Sequence, residues 1–282
     1  MEQRIPQNRL LRFAYLMVHR YLRHRVGVQS AALAFYLLFM LFPFLIFVSA
    51  LLGQLQLDVA AILQGLRGFL PREIVAVAEM YLNHVSRYSS TRLLLFGLVF
   101  SVYFPMRVTN ALLRAVRVAY HLGPPHGTIA HISKSLLYTV VLIASIALTL
   151  LLMTVSDRTL GYAVDYFRFP EMAAELWAVL RFPLIGAVGF FALFTLYALA
   201  RDDHPMWKDL WPGTLAALAV WLGVSWIYTW YVESVAHYSL LYGSIGAVIV
   251  LLVWLYLTAV ILIMGAELNG VLAGLRKEQS GT

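Results

Sequence analysis

Residues 91–122 read TRLLLFGLVFSVYFPMRVTNALLRAVRVAYHL, and the chain is organised around them. The first half is apolar enough to enter a bilayer. The second half keeps the helical period but changes chemistry. Tyr103, Arg107, Asn110, Arg114, Arg117 and His121 are spaced 4, 3, 4, 3 and 4 apart, so a helix sets all six on one face. If the hydrocarbon begins near Leu93, Arg107 lies about 21 Å further along at about 1.5 Å per residue. That is still inside a core roughly 30 Å thick. A cation there costs about 2.5–3.5 kcal/mol or more unless it finds a partner, water or a route to the surface. Two readings follow. The stripe faces the bundle interior or a cavity and attracts a carboxylate or phosphate. Otherwise it is an amphipathic end leaving the membrane, with Arg107 snorkelling and Arg114 and Arg117 on headgroups.

The composition fits a membrane setting. The 282 residues are 61% hydrophobic and 12% charged, with a mean hydropathy of +0.78, whereas a soluble domain is about 45–50% apolar and about 25% charged. The expected fold is all-α: a polytopic membrane protein of six transmembrane helices, with amphipathic helices at the N-terminus and in an outer loop. The spans are expected at about 30–55, 93–118, 136–155, 177–200, 211–231 and 242–267, forming one domain over 29–269. Residues 1–28 form an Arg-rich amphipathic segment whose cations meet anionic headgroups, and 270–282 a polar tail. The first 28 residues carry no early apolar run or cleavage site, so no signal peptide is expected. Residues 56–92 hold two short apolar-periodic stretches broken at Pro71, expected to rest on the outer interface.

Charge sets the orientation. With the N-terminus inside, 14 of the 21 Lys and Arg fall on the inner side and 7 on the outer side, which places both termini in the cytoplasm. The net charge of +7 is thus explained by topology, and no nucleic-acid module accompanies it. There is no cysteine, so disulfides, iron–sulfur clusters and thiolate zinc sites are excluded. No phosphate-binding Gly-x-x-x-x-Gly-Lys run occurs, and no cofactor is expected. The one dense acidic group, Asp202, Asp203, His204 and Asp209, lies in a short turn. It is a poor candidate for metal-dependent cleavage, so an enzyme is not expected.

Three separated stretches carry a resemblance. The first is Ala31-Ala32-Leu33-Ala34-Phe35-Tyr36 leading to Leu41-Phe42-Pro43. The second is Trp211-Pro212-Gly213 opening a span that contains Trp221. The third runs from Tyr242-Gly243-Ser244-Ile245-Gly246-Ala247 through Trp254-Leu255-Tyr256 to Gly265-Ala266-Glu267-Leu268-Asn269. Together they resemble the YihY/BrkB family of bacterial inner-membrane proteins over most of the chain. Met40 stands where that family usually has Ser. The resemblance implies six helices in the inner membrane. It also implies an association with virulence and lipid movement, and the family's older label of ribonuclease BN is regarded as mistaken.

The functional expectation is a transporter or flippase of an anionic lipid or lipid-linked substrate, using a polar face between spans two and six. Arg107, Asn110 and Arg114 of span two, Glu267 and Asn269 of span six and Tyr36 of span one are the candidate substrate-binding residues. A Glu267 pair with Arg107 or Arg114 would neutralise two expensive charges. Pro43 and Pro105 are candidate hinges, and Gly243 and Gly246 a close-packing face. Tyr228, Tyr231, Glu233, His237, Tyr238 and Tyr242 form either an interfacial aromatic belt or an outer mouth. Membrane lipids are the expected partners, nucleic acid is not, and a homo-oligomer is left open. The alternative is a non-transporting envelope scaffold.

Overall fold

The structure is a computed structural model. It describes residues 9–55, 75–76, 79, 91–123, 128–154, 172–201, 207–234 and 244–280. Among these there is no strand. Seven helices follow in order: α1 Arg9–Arg23, α2 Val26–Leu55, α3 Thr91–Ala119, α4 Thr128–Thr154, α5 Met172–Leu199, α6 Trp207–Ser234 and α7 Ser244–Ser280. Each from α2 to α7 contains a stretch long and apolar enough to cross a membrane. In lipid only a helix satisfies every backbone donor and acceptor within its own segment, so an apolar chain of this length resolves into such rods.

The six long helices close into a ring, α2–α3–α4–α5–α6–α7 and back to α2. Across its middle α3 also touches α5 and α7, and α1 rests on α7 and α2. The core is built from Leu33 of α2, Val108, Leu112 and Val116 of α3, Leu196 and Tyr197 of α5, Leu210 of α6 and Ala259, Ile263 and Ala266 of α7. Very small residues let α6 and α7 meet backbone to backbone. A Cβ on Gly213 would sit 2.2 Å from Gly265 O, and one on Gly265 would sit 2.7 Å from Ala217 Cβ. Gly246 is buried as well.

Several helix ends differ from the sequence expectation. Helix α4 begins at Thr128, eight residues before the expected span, and α7 continues to Ser280 through what was expected to be a polar tail. Hydropathy locates the hydrocarbon, whereas the backbone ladder runs on wherever side chains and water still satisfy its end groups. Helices α2 and α3 run unbroken through Pro43 and Pro105. Apart from residues 75–76 and 79, which are helical, the expected outer-loop helices lie outside the described residues, as do Gly243, Asp202, Asp203, His204, His237, Tyr238 and Tyr242.

Candidate functional site

Two polar groups emerge where the sequence suggested one. The first lies on the outside of the bundle. Helix α3 turns Val108, Leu112, Ala115, Val116 and Ala119 inward, and this fixes the opposite face. Tyr103, Arg107 and Arg114 are exposed on it. Arg107 donates from Nε and Nη2 to Tyr103 Oη at 3.1 and 3.0 Å. Its guanidinium carbon stands 5.4 Å from the centre of the same ring. Tyr36 of α2 is close enough to Arg107 to interact with it electrostatically and is itself exposed. Among the described residues Arg114 donates to its own helix, to Asn110 O at 3.3 Å, and faces His131 of α4 electrostatically. Asn110 sits at the edge of this face, and its buried Oδ1 has no hydrogen-bond partner among the described residues. The apolar window of α3 runs from Leu95 to Ala119. Arg107 is its middle residue, twelve positions or about 18 Å from each end.

The second group lies buried at the end of the bundle where α1 docks. Glu267, with 0% of its side chain exposed, receives Arg20 Nη1 at 3.2 Å on Oε2 and faces His24 Nδ1 at 2.5 Å on Oε1. The same Nη1 donates to Ala119 O, the last carbonyl of α3, at 3.1 Å. Gly270 makes room for this guanidinium: a Cβ there would lie 2.7 Å from it. His121 meets His24 edge-on, with ring centres 5.3 Å apart. His121 closes α3 in the left-handed region at φ 56°. His121 N donates to Val118 O and Leu122 N to Arg117 O, the crossed pair of bonds that ends a helix at a position usually given to glycine. Burial, with Arg20 and His24 close by, lowers His121's affinity for protons below that of an ordinary histidine.

Glu267 therefore does not pair with Arg107 or Arg114. It lies level with Ala119, whereas Arg107 stands about 18 Å higher along α3 on the face turned away from α7. Among the described residues the expected internal polar face between spans two and six is not formed. Asn269 is likewise a packing element. Its Oδ1 accepts from Gly213 N at 2.7 Å, and its Nδ2 donates to Leu210 O at 2.9 Å and Tyr120 Oη at 3.3 Å. It thereby ties α7 to the start of α6 and the end of α3. Arg117 leaves the stripe too. At 4% exposure it donates from Nε and Nη2 to Gly123 O and from Nη1 to Ala200 O, covering the carbonyl ends of two helices. Lys134 Nζ does the same for Arg201 O. Elsewhere Tyr228 donates to Val250 O at 2.8 Å, joining α6 to α7. Tyr231, Trp226 and Trp230 are exposed there as a belt would be.

The sequence reading missed Arg20 and His24 as partners of Glu267. Phe13, Met17, Arg20 and His24 recur at 4, 3 and 4, the spacing of a helix flank docked on a neighbour. Among the described residues no group of three or more His, Asp or Glu is placed to hold a metal.

A ring of six apolar helices with polar pins at one end defines a polytopic α-helical membrane protein. The family model described as virulence factor BrkB matches residues 17–281, and the chain belongs to that family. YfkH of Bacillus subtilis (strain 168), whose name describes it as ribonuclease-like, is 30% identical over 254 residues, 90% of this chain and 92% of its own. The UPF0761 membrane protein Smlt0865 of Stenotrophomonas maltophilia (strain K279a) is 26% identical over 98% of this chain, which spans 64% of that longer protein. A UPF0761 membrane protein of Vibrio atlanticus (strain LGP32) is 22% identical over 93% of this chain and 82% of its own. No solved structure matches.

Proposed function

We propose that the protein binds and moves an anionic lipid or lipid-linked amphiphile along the outward face of α3, in the bacterial inner membrane with both termini in the cytoplasm. One observation carries this reading: Arg107 is exposed at the middle of an apolar window, on the face that a bilayer would cover, with a tyrosine hydroxyl as its hydrogen-bond partner among the described residues. An unmatched cation at that depth costs about 2.5–3.5 kcal/mol or more. An anionic headgroup offsets that cost, and the aromatic rings of Tyr36 and Tyr103 beside it suit the boundary between a polar head and its chains. Arg114, near the inner end, and the exposed Arg23 and Arg25 at the α1–α2 elbow give such a headgroup further cations at the cytoplasmic side. The substrate-binding set is thus Tyr36, Tyr103, Arg107, Asn110 and Arg114; Glu267 and Asn269 are assigned to the scaffold. Pro43 and Pro105 remain the positions where α2 and α3 lack a backbone donor and bend most easily. No enzymatic step is assigned.

A non-transporting scaffold is the second reading, favoured by how firmly Arg117, Asn269 and Glu267 pin the inner end together. A binding measurement separates the two. In vesicles, spin-labelled phosphatidylglycerol is expected to be held at the protein surface in preference to spin-labelled phosphatidylcholine. Arg107→Ala is expected to remove more of that preference than Arg23→Ala does. An unchanged preference in Arg107→Ala would favour the scaffold.

A further inference from the structure

The amphipathic helix α1 is attached to the bundle in an unusual way. Arg20 and His24 reach into the bundle and Tyr21 packs against its core, while Phe13 and Met17 on the same flank are half-buried. Leu11, Ala14, Val18 and Leu22 are exposed along another face, Val18 by 60%. At the inner surface of a membrane those exposed residues meet acyl chains. The apolar part of the docked flank would do equally well there, because lipid tails are as apolar as leucine. Hydrophobic contact therefore discriminates little between α1 on the bundle and α1 on the bilayer. The buried carboxylate of Glu267 discriminates strongly, since only the docked position brings Arg20 and His24 to it.

The surroundings sharpen this dependence. Arg20 and His24 of α1 hold the carboxylate, and His121 at the end of α3 lies within electrostatic reach of Glu267, Arg20, His24 and Arg23, the three α1 groups disfavouring a charge on it. A break between two helices lies beside them. Helices α1 and α2 join through Arg25, held at φ 51°, followed by Gly27. Arg25 N donates to Leu22 O and Gln29 Nε2 to His24 O, so the elbow is closed by short-range bonds that travel with it.

We propose that α1 is a latch over the inner end of the bundle, hinged at residues 25–27 and held shut by the grip of Arg20 and His24 on Glu267. Opening it frees the carboxylate and the carbonyl end of α3 to water and moves the elbow cations Arg23 and Arg25. The proposal does not depend on what the protein transports.

The chain has no cysteine, so paired spin labels can be placed directly in the full-length protein in lipid nanodiscs. Val18→Cys on α1 and Gly274→Cys on α7 report the latch, since both positions are exposed and nothing crowds Gly274. Leu184→Cys on α5 and Leu222→Cys on α6 report the ring. The parent protein is expected to give one narrow distance for each pair. Glu267→Gln keeps the shape and removes the charge. It is expected to move the latch pair to a longer, broader distribution while the ring pair stays unchanged. Val18 lies seven residues from Arg25, so the shift is of the order of 10 Å at 1.5 Å per residue. Arg20→Gln combined with His24→Gln is expected to give the same shift from the other side of the contact. An unchanged latch distance in Glu267→Gln overturns the proposal. So does a change in both pairs, or loss of folded protein in both variants, because the cluster is then a structural pin of the whole bundle.

Discussion

Gly213 of α6 and Gly265 of α7 face one another so closely that neither has room for a methyl group: a Cβ on Gly213 would fall 2.2 Å from Gly265 O and 2.5 Å from Asn269 Oδ1. Overpacking a tight contact costs about 1–3 kcal/mol. Gly213→Ala and Gly265→Ala are each expected to lower stability by that amount, read as a lower unfolding midpoint in detergent. Gly223→Ala, where nothing lies within 4 Å, is expected to be neutral or slightly stabilising, because helical glycine is worse than alanine by about 0.5–1 kcal/mol.

Asn269 supplies three hydrogen bonds to two other helices. Asn269→Ala removes the partners of a buried amide N–H and a buried carbonyl, each worth about 1–3 kcal/mol when left unsatisfied. A loss of about 2 kcal/mol or more is expected in the same unfolding measurement. Asn269→Asp keeps the acceptor for Gly213 N but loses the donor to Leu210 O, so it is expected to rescue little.

Arg117 uses its planar fork on Gly123 O and a third nitrogen on Ala200 O. A lysine ammonium cannot reproduce that geometry from one point. Arg117→Lys is expected to destabilise by about 1.5–3 kcal/mol, the value of a hydrogen bond to a charged group. Arg114→Lys, on the exposed face, is expected to change stability by less than about 0.5 kcal/mol.

His121 binds protons less readily in the folded protein, chiefly through burial and then through Arg20 and His24, with Glu267 acting in the opposite sense. The unfolded chain therefore takes up more protons than the folded one as pH falls through the ordinary histidine value of about 6.5. Its contribution is full above that pH and is lost below it. His121→Asn accepts the left-handed conformation and does not titrate. The expected result is a smaller drop in the unfolding temperature between pH 7.5 and pH 5.5 for His121→Asn than for the parent.

The six spans were legible because hydrocarbon length and apolar composition determine them almost alone. The Arg stripe was legible as a pattern but not as a direction. Its spacing holds six residues within one face, yet nothing in a period says whether that face looks at neighbours or at lipid. Here Val108, Leu112 and Val116 claim the inside and leave Arg107 and Arg114 outside. Arg117, at the margin of the stripe, is long enough to reach two helix ends and folds inward. The partners of Glu267 were not legible, because Arg20 stands 247 positions away on a helix that contains no apolar span, where apolar length gives no signal. Asn269 was noticed for its polarity, whereas its role depends on the close approach of Gly213.

The central claim is that Arg107 meets an anionic headgroup within the membrane, and the rate of lipid movement tests it most directly. Folded parent protein and Arg107→Ala, reconstituted at equal density, are to be compared for the transfer of fluorescently labelled phosphatidylglycerol and phosphatidylcholine between leaflets. The parent is expected to move the anionic lipid faster than the zwitterionic one, and Arg107→Ala to lose about tenfold or more of the anionic rate, the equivalent of about 1.4 kcal/mol. Equal rates for parent and variant on phosphatidylglycerol would contradict the account.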